Sequence, residues 1–281
     1  VSSPAITVNQ SRQHTLSAFF GLMQRDLRVL RRELVAFAVR IIMQPLLFLF
    51  VFTYVFPHMS AGGGAAANPM ASAGGVGLGT VLLPGLMAVA IMFTGIAAVA
   101  LPLSQEFGIT REIDDRVMCP LPVAAVAFEK VCFSALQSIL GAVLVFPLAY
   151  YIPAVPVQAH IASWPLLIAV LVLASLVAGA LGLAIGSNVK PQQIGLIFSI
   201  VVIPITFLGC VYYPWAYLKN LPILQYAVLI NPIVYMSEGL RAALTPDVAH
   251  MPYGYILLAL VVSFALLMWL GLNGFLRRVI S

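Results

Sequence analysis

The chain has 281 residues, 62% of them hydrophobic and 8% charged, with a formal net charge of +5 and a mean hydropathy of +1.05. A soluble domain carries about 25% charged residues, so this chain cannot coat a water-soluble globule and is expected to cross a membrane several times. The basic balance, with an isoelectric point near 9.3, does not point to nucleic acid, because the basic residues flank apolar runs and form no soluble patch.

In chain order, Leu16, Phe20, Met23, Leu27, Leu30 and Leu34 recur at alternating steps of four and three, while Arg25, Arg28 and Arg32 share another face. The spacing predicts an amphipathic helix over 14–34 that lies in the headgroup layer. The alternative is that this segment simply begins the first span. Six apolar runs of about 20 residues then follow, each long enough to cross ~30 Å of hydrocarbon. They are 36–56, 81–103, 131–152, 164–185, 194–213 and 255–276. The predicted fold class is therefore all-α and polytopic, one membrane domain over 1–281, with kinks expected at Pro45, Pro147 and Pro204.

The connections differ in kind. Residues 60–79 are a Gly/Ala/Ser tract without a period, read as an outer loop. The loop 104–122 is rich in mixed charge and closes on Pro120 and Pro122. It reads as a short lever between spans two and three, or as a solvated connector. Along span four, Ala174, Ala178, Gly182 and Gly186 repeat every four residues, a small-residue ridge expected to pack within one subunit or, alternatively, between two. Between spans five and six, two apolar runs within 221–244 are split by Asn231-Pro232. Each is too short to cross, so they form either a re-entrant helical pair or a cap resting on the lipid surface. Glu238 and Arg241, three apart on the second run, can share a helix face and pair.

Twelve of the 14 Lys and Arg residues fall on one side of the predicted spans; Lys219 and Arg241 fall opposite. That bias predicts both termini in the cytoplasm. The cysteines Cys119, Cys132 and Cys210 have no metal-site spacing and read as small apolar residues.

Absences narrow the energy source. No side chain that could ionise near pH 7 lies between Pro191 and Leu218, and His58 and His160 in predicted outer loops are the only such candidates across 41–105 and 131–189. Ion-coupled carriers normally keep such groups inside their spans, which places a secondary carrier third among the readings. Lys130, Lys190 and Lys219 are the only lysines, and none follows a glycine. A P-loop needs Gly-Lys, so any ATP hydrolysis must occur on another chain. No catalytic residues and no metal ligands are predicted.

Several short motifs then fall in a particular order: Glu106; Arg111-Glu112; Cys119-Pro120-Leu121-Pro122; Lys130; Tyr213-Pro214; Asn231-Pro232; and Gly239-Leu240-Arg241. In this order they resemble the membrane subunit of ABC-2 type exporters over nearly the whole chain. That resemblance implies a permease that pairs with a second copy or a related permease and binds two cytoplasmic ATPase subunits. ATP and Mg would sit on those partners, and this chain would hold no cofactor. It also implies the plasma (inner) membrane of a bacterium, with membrane lipids as surroundings. Glu106, Arg111, Glu112, Asp114, Asp115 and Arg116 would couple to the ATPase. The re-entrant pair would close the outer exit through Tyr213, Asn231, Pro232, Tyr235, Glu238 and Arg241. Phe93, Thr94, Phe198, Thr206 and Phe207 suit the path of a hydrophobic or amphipathic drug, lipid or glycolipid, although a residue in a span more often simply packs against helices or lipid. A non-transporting scaffold subunit of a biosynthetic complex is the alternative from another class.

Overall fold

The computed structural model describes residues 8–51, 78–107, 122–151 and 160–280, and no strand occurs among them. In chain order the helices are α1 (Val8–Arg32), α2 (Leu34–Phe50), α3 (Leu78–Gln105), α4 (Val123–Tyr151) and α5 (Trp164–Asn188). Then come α6 (Pro191–Phe207), α7 (Pro222–Ala227), α8 (Pro232–Leu244) and α9 (Tyr253–Ile280). Four of them contain segments long and apolar enough to cross a membrane: Thr80–Gln105, Val123–Leu148, Trp164–Asn188 and Tyr253–Val279.

The predicted first and fifth spans are shorter as helices. The 17-residue α2 runs to the edge of the described residues, and the rest of that span, with most of the 60–79 tract, lies outside them. Helix α1 is distinct from α2, the two meeting at a bend at Glu33. The predicted 194–213 span is helical only to Phe207. Within it, Phe198–Val202 forms a π-turn immediately before Pro204. A proline clashes with the carbonyl four residues earlier and cannot donate to it, and a widened turn accommodates both defects. Beyond Phe207 the chain turns through Gly209 and Cys210, the latter in the left-handed region at φ 50°.

Helix α5 is the axis of the bundle. Ser163 caps it, its hydroxyl accepting from the Leu166 amide at 3.3 Å, and Pro191 follows its end. The ridge Ala174, Ala178, Gly182 and Gly186 is buried and packs on α3 within the same subunit. A Cβ added to Gly182 would meet the Ile96 carbonyl oxygen at 2.9 Å, and one on Gly95 would meet the Ala178 Cβ at 2.5 Å. The opposite side of α5 takes α9, where a Cβ on Gly271 would lie 3.0 Å from the Ala184 amide nitrogen. Lipid supplies no hydrophobic drive between helices, so close backbone approach is a main source of their attraction. Helix α8 fills the space between α3, α5 and α9. Most of α9 faces outward through Leu258, Val261, Val262, Leu266 and Trp269, as suits a surface against lipid.

Gly182→Leu should lower the stability of the single subunit by about 3 kcal/mol or more, the upper range for overpacking a filled core. Thermal melting of the purified subunit checks this; a normal melt combined with loss of dimer would move the ridge to an interface between copies.

Candidate functional site

Two clusters of buried polar residues stand at opposite ends of the bundle. The first lies in the arm between α6 and α9. Asn231 starts α8: its side-chain oxygen accepts from the Ile233 amide at 3.1 Å, and its nitrogen donates to the Ile205 carbonyl at 2.6 Å. Pro232 occupies the first turn of α8, where its missing N–H matters least. Tyr235 donates from its hydroxyl to the Leu229 carbonyl at 2.8 Å.

One turn further, Glu238 and Arg241 are both fully buried and form an ion pair. One Glu238 oxygen accepts from the Arg241 guanidinium at 2.5 Å and from the Trp215 amide at 2.9 Å. Its other oxygen accepts from the Met251 amide at 3.0 Å. Arg241 also donates to the Cys210 carbonyl at 3.2 Å, and the Ser237 hydroxyl donates to the Gly209 carbonyl at 2.9 Å. The donors of α8 thus satisfy carbonyls left open where α6 stops, which is why a left-handed turn can sit there. A Cβ on Gly85 of α3 would lie 1.9 Å from the Val211 carbonyl oxygen, so this turn rests directly on α3.

Tyr235, Glu238 and Arg241, predicted at an outer gate, are therefore turned into their own subunit, and Tyr213 is half-buried against the same core. Met236 is fully buried as well. The exposed part of the arm is the preceding stretch, where Ile223 and Ile230 are each 88% exposed. Within the arm, α8 is buried against the bundle, while much of the first run is exposed.

The second cluster braces the base of the 104–122 loop. Glu106 at the end of α3 and Lys130 in α4 form a buried ion pair at 2.7 Å. Arg278 of α9 donates to the Gly186, Ser187 and Val189 carbonyls at the end of α5, at 3.2, 3.4 and 2.9 Å. A cation at a helix C-terminus satisfies open carbonyls and complements the dipole. The same guanidinium lies 4.6 Å from the centroid of the Phe107 ring, within cation–π range. The loop thus leaves and re-enters the bundle beside charged contacts that join α3, α4, α5 and α9. Arg111, Glu112, Asp114, Asp115 and Arg116 lie outside the described residues.

The chain matches the ABC-2 type transporter family over residues 17–245. It belongs to that family. No curated protein matches the chain. As an ABC-2 membrane domain it is a multi-pass permease component that lacks the ATPase, and the family normally works with an ABC ATPase partner.

The residues predicted along the ABC-2 permease's path take different positions in the bundle. Thr94 is buried where α3 meets Gly141 of α4. Thr206 is buried, its hydroxyl donating to the Val202 carbonyl at 2.7 Å. Phe93 and Phe198 are half-buried against the core, while Phe207 is exposed beside Tyr212. Sequence reasoning missed Arg278 as a helix cap and Trp215 and Met251 as partners of Glu238. An arginine flanking a span is visible only as a topology signal, and backbone donors carry no sequence signature.

Arg241→Met should destabilise the subunit by about 3–5 kcal/mol, since it strands a buried carboxylate. The double variant Glu238→Leu/Arg241→Met should recover only part of that loss. The Trp215 and Met251 amides would still lack an acceptor, at about 1–3 kcal/mol each. A double-mutant cycle on the melting of the purified permease measures both; full recovery would show that the carboxylate anchors nothing beyond its arginine.

Proposed function

We propose that this chain is the permease subunit of an ATP-driven exporter and that it moves a hydrophobic or amphipathic compound outward from the inner membrane. Six crossings, with α2 and α6 as the first and fifth, put both termini on the cytoplasmic side. Two permease copies pair, and two ATPase subunits dock beneath them. The observation that carries this reading is the braced base of the 104–122 loop. A push on Glu112, Asp114, Asp115 or Arg116 would reach α3 and α4 through Glu106 and Lys130, and α5 and α9 through Phe107 and Arg278. A short segment of mixed charge suits a polar, reversible interface.

The path runs between the two copies. Support for this comes from the filled interior of the single subunit, where α3 meets α5 backbone to backbone at Gly95 and Gly182. At the outer exit, the exposed 221–230 run is the part free to meet its counterpart across a two-fold axis, with embedded α8 as its hinge.

Asp114→Lys/Asp115→Lys should reduce ATP hydrolysis by the reconstituted complex at least about fivefold, since charge reversal at a polar interface sets like charges against each other. Unchanged hydrolysis with assembly intact would remove the loop from the coupling path. A chain that neither retains an ATPase on purification nor supports ATP-driven uptake of amphiphiles into inside-out vesicles would be the scaffold subunit instead.

A further inference from the structure

A cavity of about 580 Å³ opens between α1, α2, α3 and α4, within the ~300–1,000 Å³ range of small-ligand sites. Its two ends differ. At one end stand Glu106 and Lys130, paired at 2.7 Å beside the base of the 104–122 loop. Inward, the lining reaches no further than Phe37 on α2, Ala97 on α3 and Gln137 on α4. The next turn closes the space: a Cβ on Gly141 would meet the Thr94 hydroxyl oxygen at 3.1 Å and an Ile41 side-chain carbon at 3.5 Å. Gln137 is two turns along α4 from Lys130, so about 10 Å deeper. It stands at the inner end.

This carboxamide sits near the middle of the Val123–Leu148 apolar segment and is only 9% exposed. It has no hydrogen-bond partner among the described residues. A polar group buried there without a partner is costly. Nearby, Pro102 of α3 has no N–H to give the Ala98 carbonyl one turn back, and both residues line the same wall.

The level of Gln137 is apolar otherwise. Thr94 against Gly141 places Ala97 and Ala98 beside it in the antiparallel neighbour, and Ile41 against Gly141 places Phe37 there too. Glu33, one turn nearer the mouth, is exposed. A charged ligand group at the inner end would lose its hydration with no counter-charge beside it, whereas a neutral one needs only a hydrogen bond. A bilayer lipid in its ordinary pose would bring chain and not headgroup to this depth.

From this arrangement we infer that the cavity binds a compact molecule carrying a neutral hydroxyl or carbonyl on an apolar body, with that group bonded to the Gln137 carboxamide. Phe37 and Phe133 flank the apolar body. The site lies within one subunit, apart from the path proposed between two copies, and its test reads binding and not transport.

The test uses the full chain in phosphatidylcholine nanodiscs with two photoreactive probes, a diazirine-bearing octanol and the matching octane. Each is normalised to its labelling of the lipid-facing side of α9. Labels mapped by mass spectrometry should fall on the inner half of α3 and on Phe133–Gln137 of α4, with the octanol favoured about threefold to tenfold, the worth of one neutral hydrogen bond. Gln137→Leu should remove that preference without lowering the melting temperature, because it deletes an amide that the chain leaves unbonded. Ala98→Phe, which places a ring in the cavity, should remove labelling by both probes, and Val143→Phe on the exposed face of α4 should leave it intact. Equal labelling by the two probes, or a preference that survives Gln137→Leu, would overturn the assignment and leave water as the partner of Gln137. A lowered melt of Gln137→Leu would overturn it as well, since the amide would then be bonded within the chain. Displacement of the octanol by added diacylglycerol, a bilayer lipid with a free hydroxyl, would give the cavity to lipid and overturn the compact ligand.

Discussion

A carboxylate and a guanidinium removed from water lose several kcal/mol of solvation each, so burying them is costly unless most of their remaining bonding positions are filled, as here all but the Arg241 Nε are engaged or paired. Glu238 meets that condition with donors from three parts of the chain: the Arg241 side chain, the Trp215 amide and the Met251 amide. Arg241 reaches on to the Cys210 carbonyl. The end of α6, the turn on which it rests against α3, the embedded position of α8 and the approach to α9 all depend on this one buried pair. Helix α8 is too short to cross the bilayer, and the pair adds to the Asn231 and Ser237 hydrogen bonds and the apolar packing that also hold it.

Three sorts of attraction hold the rest. In the middle of the bundle, Gly95, Ala178, Gly182 and Gly271 let backbones touch, and attraction there is dispersion at short range. At the end beneath, Glu106 with Lys130 and Arg278 with the α5 carbonyls fasten the bundle around the loop. Above, the Glu238 pair does the fastening. Among the described residues, the 221–230 run carries some of the most exposed apolar side chains, Ile223 and Ile230, and is the part of the arm least covered by the bundle.

The sequence made some of this legible, for physical reasons that differ by residue. The ridge on α5 was readable because a four-residue repeat of small side chains is itself the packing signal. Glu238 and Arg241 were readable as a pair, since a spacing of three places them on one helix face. Their role as an anchor was not, because two of the partners are backbone amides far along the chain. Residues Leu208–Tyr213 looked like the end of a span on hydropathy, although Gly209 is a stop signal, since apolar content does not distinguish helix from a turn resting on α3. Lys130 belonged to a recognisable motif, but its contact with Glu106 joins two helices.

Hydrogen–deuterium exchange on the full chain in nanodiscs tests the anchor most directly, comparing the unaltered protein with Glu238→Ala. If one carboxylate holds both segments, amides around Trp215 and around Met251 lose protection together, while those of Trp164–Asn188 remain protected. Loss of protection at only one of the two, or at neither, would contradict the account.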